Sequence, residues 1–294
     1  MGRGDLTHAE WVRLEPHLPA FGQRGGRWND HRKVINGILF RVRAGIPWRD
    51  LPERFGSRKT VCERHRRWSA DDTWDRILRA GQAGRRRPHG PDRVEHGQRR
   101  LDVLPCPPAC GRGPEEEATR PEKRTMPRHH RPDEGLGRSR GGLTCKIHLA
   151  GEGGCRPLAF LLTPGQWGDA PQMIEVLERI TVPRPQGGRP CTRPDHLGGD
   201  KAYSSRRNRR YLRRRQIKHT IPEPRDQRAN RKRRGSKGGR PTGFTSGIYK
   251  RRNEVERTIN RLKNSRAVAT RYDKRAHVFH GTVTAAAVRL WLQS

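Results

Sequence analysis

Four residues in the stretch 249–263, YKRRNEVERTINRLK, have the types and spacing for work on a phosphate: Tyr249, Arg252, Glu256 and Lys263. Their steps of three, four and seven bring them within roughly 60° of arc on an α-helix. An arginine forks onto phosphate oxygens, a lysine supplies a point charge, and a tyrosine hydrogen-bonds or stacks. Beside that face runs an apolar stripe of Ile248, Val255, Ile259 and Leu262, which can seat the helix on a core. A second acid, Asp200, ends the strand-like run HLGGD. Asp200 and Glu256 can converge on one divalent cation, and hard oxygen ligands of this kind suit Mg²⁺. Phosphodiester chemistry commonly uses two such ions about 3.5–4 Å apart. Blander readings exist for both acids. Glu256 could simply pair with Arg252 at i,i+4 on an exposed helix, and Asp200 could be a turn residue after Gly198 and Gly199.

The elements that must position these residues belong to a strongly basic chain. Its 294 residues carry 65 Lys+Arg against 30 Asp+Glu, a net charge of +35, and its pI is near 11.5. A surplus of that size implies a polyanionic partner, nucleic acid before a membrane surface. No apolar run approaches about 18 residues and no signal peptide opens the chain, so a soluble cytoplasmic protein without membrane contact is expected. Hydrophobic content is 30%, low for one packed unit. The six cysteines show no CxxC pairing. Cys106 and Cys110 offer half a zinc site with nothing to complete it.

Residues 1–80 read as a helical domain. Thr7 caps a first helix carrying Trp11, Leu14 and Leu18, and a second runs from about 30 to 43 with Val34, Ile35, Ile38, Leu39 and Val42 inward. A third starts after Ser57, with Val61 and Trp68 inward and Arg58, Lys59, Arg64, Arg66 and Arg67 outward. A short helix over 74–78 ends the domain. Two helices, a turn and a basic helix suit a helix-turn-helix entering the major groove of DNA, and residues 1–80 alone are expected to bind it. Residues 81–132, rich in Arg, Pro, Gly and Glu, show no periodicity and read as linker or disorder. From 133 to 294 order returns: strands over 143–150 and 157–165, a helix over 169–180, the strand ending in Asp200, a basic helix over 201–215 and a strand over 217–222. A Gly/Arg loop over 231–241 leads to the Tyr249–Glu256 helix and to a last helix over 278–292.

With these blocks in order, the chain resembles bacterial insertion-sequence transposases of the DDE type, in the fifth insertion-sequence family, over nearly its full length. The family's Y-x2-R-x3-E-x6-K signature is matched at Tyr249, Arg252, Glu256 and Lys263. Its second acid lies in a segment like GDKAYSS, here 199–205, which gives that role to Asp200. GRSRGGLTCKIHLA (137–150) and ATRYDK (269–274) resemble further family blocks. The resemblance implies an α/β fold: a ribonuclease-H-like catalytic domain preceded by an all-α, helix-turn-helix-like domain. It also implies Mg²⁺- or Mn²⁺-dependent cleavage of double-stranded DNA at terminal inverted repeats, strand transfer into target DNA, a homodimer on DNA and a place at the nucleoid. A catalytically dead protein occupying transposon ends is the alternative. A basic RNA-binding or structural protein is a third, which the Asp200/Glu256 pair argues against.

One block departs. The family's first catalytic Asp sits in a strand like VDST, followed by RAHQHAAG, and no such segment occurs here. Asp102, in RRLDVLP, sits at about the right place with the wrong flanks. Back-translating residues 94–111 and shifting forward one nucleotide permits SSTVNVDSTSCRAHQHAA, with the Asp codon straddling Arg100 and Leu101. Residues from about 81 to 130 are therefore expected to be translated out of frame between two compensating shifts. The catalytic domain would then be incomplete, a central strand lost and the sheet opened. Asp102, in a strand of altered register, would point to the other face.

Overall fold

The computed structural model describes residues 4–20, 29–83, 98–105, 132–139, 142–184, 186–250 and 253–293. The chain opens with four helices: α1 (His8–Leu14), α2 (His31–Ala44), α3 (Arg58–Ala70) and α4 (Thr73–Ala83). Thr7 and Glu10 form a capping box at α1, the Glu10 carboxylate accepting from Thr7 N at 2.8 Å, so two orphan donors are satisfied together. Gly45, at φ 67°, closes α2 in the left-handed conformation that glycine adopts without penalty. Ser57 stands at the start of α3 without a side-chain cap bond. The helix expected over 74–78 runs longer, to Ala83.

A mixed sheet follows: β1 (Gln98–Pro105), β2 (Gly137–Ser139), β3 (Gly142–Glu152), β4 (Arg156–Pro164), β5 (His196–Gly199) and β6 (Lys218–Thr220). Its order is β4-β3-β1-β5-β6, with β2 pairing the first residues of β3. β1, β3 and β4 are antiparallel neighbours, whereas β5 and β6 run parallel to β1. Helix α5 (Asp169–Glu178) lies between β4 and β5, and α6 (Arg206–Arg214) makes the crossover from β5 to β6. Then come α7 (Arg225–Arg233), α8 (Ser246–Lys250), α9 (Asn253–Lys263), α10 (Arg266–Ala269) and α11 (Ala276–Leu292).

Two sequence readings are corrected here. Residues 98–105, assigned by composition to a linker, form the central strand β1, so the sheet is not opened. LDVL is a short apolar run at strand spacing, and it fills the slot between β3 and β5, whose backbone groups need a partner there. The helical domain drawn at residues 1–80 does not close its own core. Helix α11, from the far end of the chain, packs against α2, α3 and α4 as well as β4 and α9. It is buried on nearly every side, through Phe279, Val283, Ala286, Val288 and Trp291 among others. A Cβ at Gly281 would come within 1.9 Å of the Ser69 hydroxyl, which measures how tightly α11 crosses α3.

Polar groups seal this joint. Arg41 of α2 forks onto Asp273 with both N–O distances at 3.0 Å, and the pair is buried. Thr282 of α11 donates to Asp273 Oδ2 at 2.7 Å. Trp74 Nε1 donates to His65 Nδ1 at 3.2 Å, which leaves the proton on Nε2 to reach Thr282 Oγ1 at 3.1 Å. At the other end of α11, Trp291 Nε1 donates to Pro157 O at 2.7 Å, and Gln82 of α4 donates to Leu158 O at 2.9 Å. Both bonds tie the bundle to β4.

Removing one partner of a buried ion pair strands the other, at a cost of about 3–5 kcal/mol. Asp273→Ala should therefore lower the unfolding free energy of the full chain by about that amount in urea titrations, and a loss below about 1 kcal/mol would refute the role given to the pair. The pH dependence has a definite sign. Burial holds the His65 imidazole down to about 4 from its ordinary 6.5, and burial holds His148, bonded to Thr163 Oγ1 at 2.7 Å, down to about 4 as well. Between those values the unfolded chain binds protons that the folded chain refuses, so stability falls as pH falls from about 6.5 towards 4. His65 alone accounts for up to about 3 kcal/mol of that loss. Urea midpoints that do not move between pH 7 and 4.5 would contradict this.

Candidate functional site

Asp200 directly follows β5 and is half-buried. Its carboxylate accepts from Lys201 N at 2.6 Å and so caps the 3-10 turn Lys201–Tyr203. The turn reading and the ligand reading are thus compatible: one oxygen caps, and the carboxylate remains accessible. Glu256 lies on α9, whose Val255, Thr258, Ile259 and Leu262 are buried against β1 and β3. Gly151 of β3 permits this seating, since a Cβ there would meet Thr258 Oγ1 at 3.2 Å and Val255 Cγ2 at 3.6 Å. Arg261 fixes the helix to the β3–β4 turn by donating to Cys155 O at 3.2 Å. Glu256 is exposed and Lys263, one heptad on, shares its face. Tyr249 lies in α8 with its ring 5.2 Å from that of Phe244. Arg252 and the side chain of Ile248 fall outside the described residues.

The two acids sit on elements that both adjoin the central strand: β5 pairs with β1, and α9 packs on it. Leu101 of β1, which precedes Asp102, is in register with Gly199, which precedes Asp200. The Asp of the shifted reading, whose codon begins in Arg100, falls two places before Asp102, and two places share a strand face. The side chain of Asp102, expected to point to the opposite face, lies outside the described residues. Among the described residues no three of His, Cys, Asp and Glu cluster as a metal site.

On α3, Arg58, Lys59, Arg66 and Arg67 are exposed, but Arg64 is buried. Position 64 is three residues from Val61 and four from Trp68, so it shares their inward face. Its guanidinium donates to His31 Nδ1 at 3.0 Å and lies 5.6 Å from the Trp68 ring centroid. Burial lowers the His31 pKa and the Arg64 pKa alike.

Residues 119–291 match a family model described as "Transposase DDE domain", more than half of the chain. The chain belongs to the DDE transposases. Residues 6–78 match a second model, "Putative transposase of IS4/5 family". Among curated proteins, "Putative transposase for insertion sequence element IS402" of Burkholderia cepacia is 33% identical over 136 residues, 46% of this chain and 56% of that protein. "Uncharacterized protein y4sN" of Sinorhizobium fredii is 37% identical over 75 residues, 25% of this chain and 59% of that protein. The chain thus spans a little over half the length of these relatives. "Putative transposase for insertion sequence element IS6501" of Brucella ovis is 27% identical over 151 residues, 51% of this chain and the whole of that protein. No solved structure matches the chain. The family is one of enzymes, insertion-sequence transposases of the DDE type. Among the described residues of this transposase no helix is long and apolar enough to cross a membrane.

Sequence reasoning missed α7, giving 223–230 to no element and 231–233 to a loop. The signal was present: Pro224 precedes a run of good helix formers, Arg, Gln, Ala and Lys. Arg64 now separates folding from surface charge. Arg64→Glu should destabilise the protein by about 1–3 kcal/mol, because it removes the donor at His31 Nδ1 and puts a carboxylate in a buried place. Arg66→Glu and Arg67→Glu should leave the melting temperature almost unchanged. Equal thermal shifts in all three variants would return Arg64 to the surface.

Proposed function

We propose that the chain acts as a transposase on double-stranded DNA, cutting at terminal inverted repeats and joining the freed 3′-hydroxyl to target DNA. The observation that carries this is the placement of the two acids around β1: Asp200 directly follows β5, which pairs with β1, and Glu256 lies on α9, which packs on β1. An antiparallel set β4-β3-β1 continued by parallel β5 and β6, with acids at a strand end and on a covering helix, supports a ribonuclease-H-like domain. Carboxylates are the donors that Mg²⁺ or Mn²⁺ takes, so Asp200 and Glu256 would hold the ion. When bound, such an ion lowers the pKa of water and steadies a leaving oxygen. Arg252, Lys263 and Tyr249 would fix phosphate oxygens beside it. Arg58, Lys59, Arg66 and Arg67 would grip the repeat from α3. Along the sequence we divide the chain at 1–80, 81–132 and 133–294, with α11 completing the helices of the first segment and β1 of the second lying in the sheet of the third. A homodimer on DNA, at the nucleoid, follows from the family.

We further infer that the chain as translated is a relic lacking its first acid. The family models match 6–78 and 119–291 and leave 79–118 between them, which covers most of the segment read as out of frame, although the second match already begins at 119. A second reading rests on the register that pairs Leu101 with Gly199, one residue before each acid, in which Asp102 serves as the third acid. If neither holds, the chain is a dead occupant of transposon ends.

One experiment compares three chains for Mg²⁺-dependent cleavage of end-containing DNA: the natural chain, its Asp102→Asn variant and a chain with codons 81–130 shifted by one nucleotide. Cleavage by the shifted chain alone supports the relic. Cleavage by the natural chain that Asp102→Asn abolishes supports the second reading and sinks the first. In whichever chain cleaves, Asp200→Asn and Glu256→Gln should each reduce the rate at least a hundredfold while end binding stays within a few-fold. Cleavage that survives either substitution removes that residue from the site.

A further inference from the structure

Residues 201–240 concentrate positive charge, with 17 Lys+Arg against two acids, Glu223 and Asp226. From 201 to 222 there is no acidic residue at all, and Arg206, Arg207, Arg210, Arg213 and Arg214 of α6 are exposed. Helix α7 then buries none of its residues. A helix that is polar all round has no apolar face to hold it. Its Arg225–Arg228 and Arg228–Lys232 spacings also place like charges one turn apart, which weakens the helix further.

What holds α7 is a pair of side-chain latches. Gln227 Nε2 donates to Ser204 O at 2.8 Å, and the Ser204 hydroxyl donates back to Gln227 Oε1 at 3.0 Å. Arg231 forks onto Glu223 with both distances at 3.1 Å, and that contact keeps the Glu223 pKa below its ordinary value. Arg209 braces the joint, donating to Ser204 Oγ and to Ile221 O, each at 2.9 Å. Ser204 stands four residues past Asp200, so α7 is docked at the carboxyl end of β5, beside the candidate ion ligand. With Glu223 engaged, Asp226 is the one acid left among the exposed cations Arg225, Arg228, Lys232, Arg233, Arg234 and Lys237.

We propose that α7, with the outer face of α6, is a clamp for the phosphate backbone of double-stranded DNA, separate from α3 and placed next to the cleavage site. The proposal rests on the transposase reading and adds a second DNA surface to it. The like-charge repulsion within α7 is relieved only when an anion lies along it. Duplex DNA supplies a regular line of phosphates, and cations without bases to read contact it independently of sequence. No exposed aromatic residue lies on α6 or α7, so stacking of unpaired bases has no platform there. A membrane-surface helix needs an exposed apolar face as well as a basic one, and α7 has none.

The test uses the full chain and a fluorescent duplex of arbitrary sequence, about 30 base pairs long, titrated across a range of salt. Replacing Arg228, Lys232 and Arg233 by Glu should weaken binding at least tenfold at low salt. It should also flatten the salt slope by about two to three, at roughly 0.9 per phosphate contact. The same charge change at Arg184, Arg189 and Arg193, exposed in the loop before β5, is the control and should have a small effect. Gln227→Ala, which leaves the charge alone and frees the latch, should weaken binding several-fold. Equal losses in the clamp and control variants would reduce the effect to net charge and overturn the proposal, as would an unchanged slope in the clamp variant. Loss of binding to phosphatidylserine vesicles with duplex binding intact would assign the surface to a membrane and overturn it too. A wild-type chain that binds no duplex would instead overturn the transposase reading itself.

Discussion

The buried pair Arg41–Asp273 joins two residues 232 apart in sequence, and the fold depends on it more than on any other polar contact described here. Bringing two charges out of water costs several kcal/mol each, and only good geometry with further hydrogen bonds offsets that. Here both guanidinium contacts are made, Thr282 donates to the carboxylate, and His65, oriented by Trp74, donates to Thr282. Burial alone would push the Asp273 carboxyl up, but Arg41 outweighs it and holds the group below its ordinary value. An apolar substitute of the same shape could be as stable. What the ionic version adds is selectivity, since Arg41 accepts one partner among many helices of similar greasiness.

That choice fixes the relation between the two halves of the molecule. The helices that carry the α3 cations are completed by α11, and α11 also touches β4 and α9. A change of tilt in the helical bundle is therefore felt at the helix bearing Glu256 through packed side chains rather than across a linker. The same closure is expensive kinetically. The first helices cannot finish their core until the last residues of the chain arrive, a contact of very high sequence separation.

Much of this was legible in the sequence wherever a local rule decided the outcome. Thr7 and Glu10 announce a capping box, the alternation of 143–150 gives β3, and the 3.6-residue stripe of Val255, Ile259 and Leu262 gives the buried side of α9. Where a tertiary contact decided it, the sequence was silent or misleading. Arg64 looked like one more surface cation until His31 and Trp68 stood beside it. The uniform apolarity of α11 signalled burial but not against which helices. Helix α7 has no apolar periodicity because side-chain bonds to Ser204 and Glu223 hold it, and Ser204 stands 23 residues away from its partner Gln227, so only its Pro224 and its helix formers signalled it.

Strand β1 shows why fold and function part company at the centre of the sheet. A strand is held between two neighbours by its N–H and C=O groups, and these are the same for every residue but proline. QRRLDVLP can therefore occupy the slot between β3 and β5, ending at Pro105 where pairing also ends, whatever reading frame produced it. An ion ligand is a different demand, because it needs one carboxylate at one place, and a displacement of about 6.6 Å, two residues along the strand, exceeds the reach of any coordination shell. Backbone pairing thus tolerates residue types that an ion site would not. The sheet around 98–105 is built from N–H and C=O groups alone, whereas an ion site is a demand on side chains.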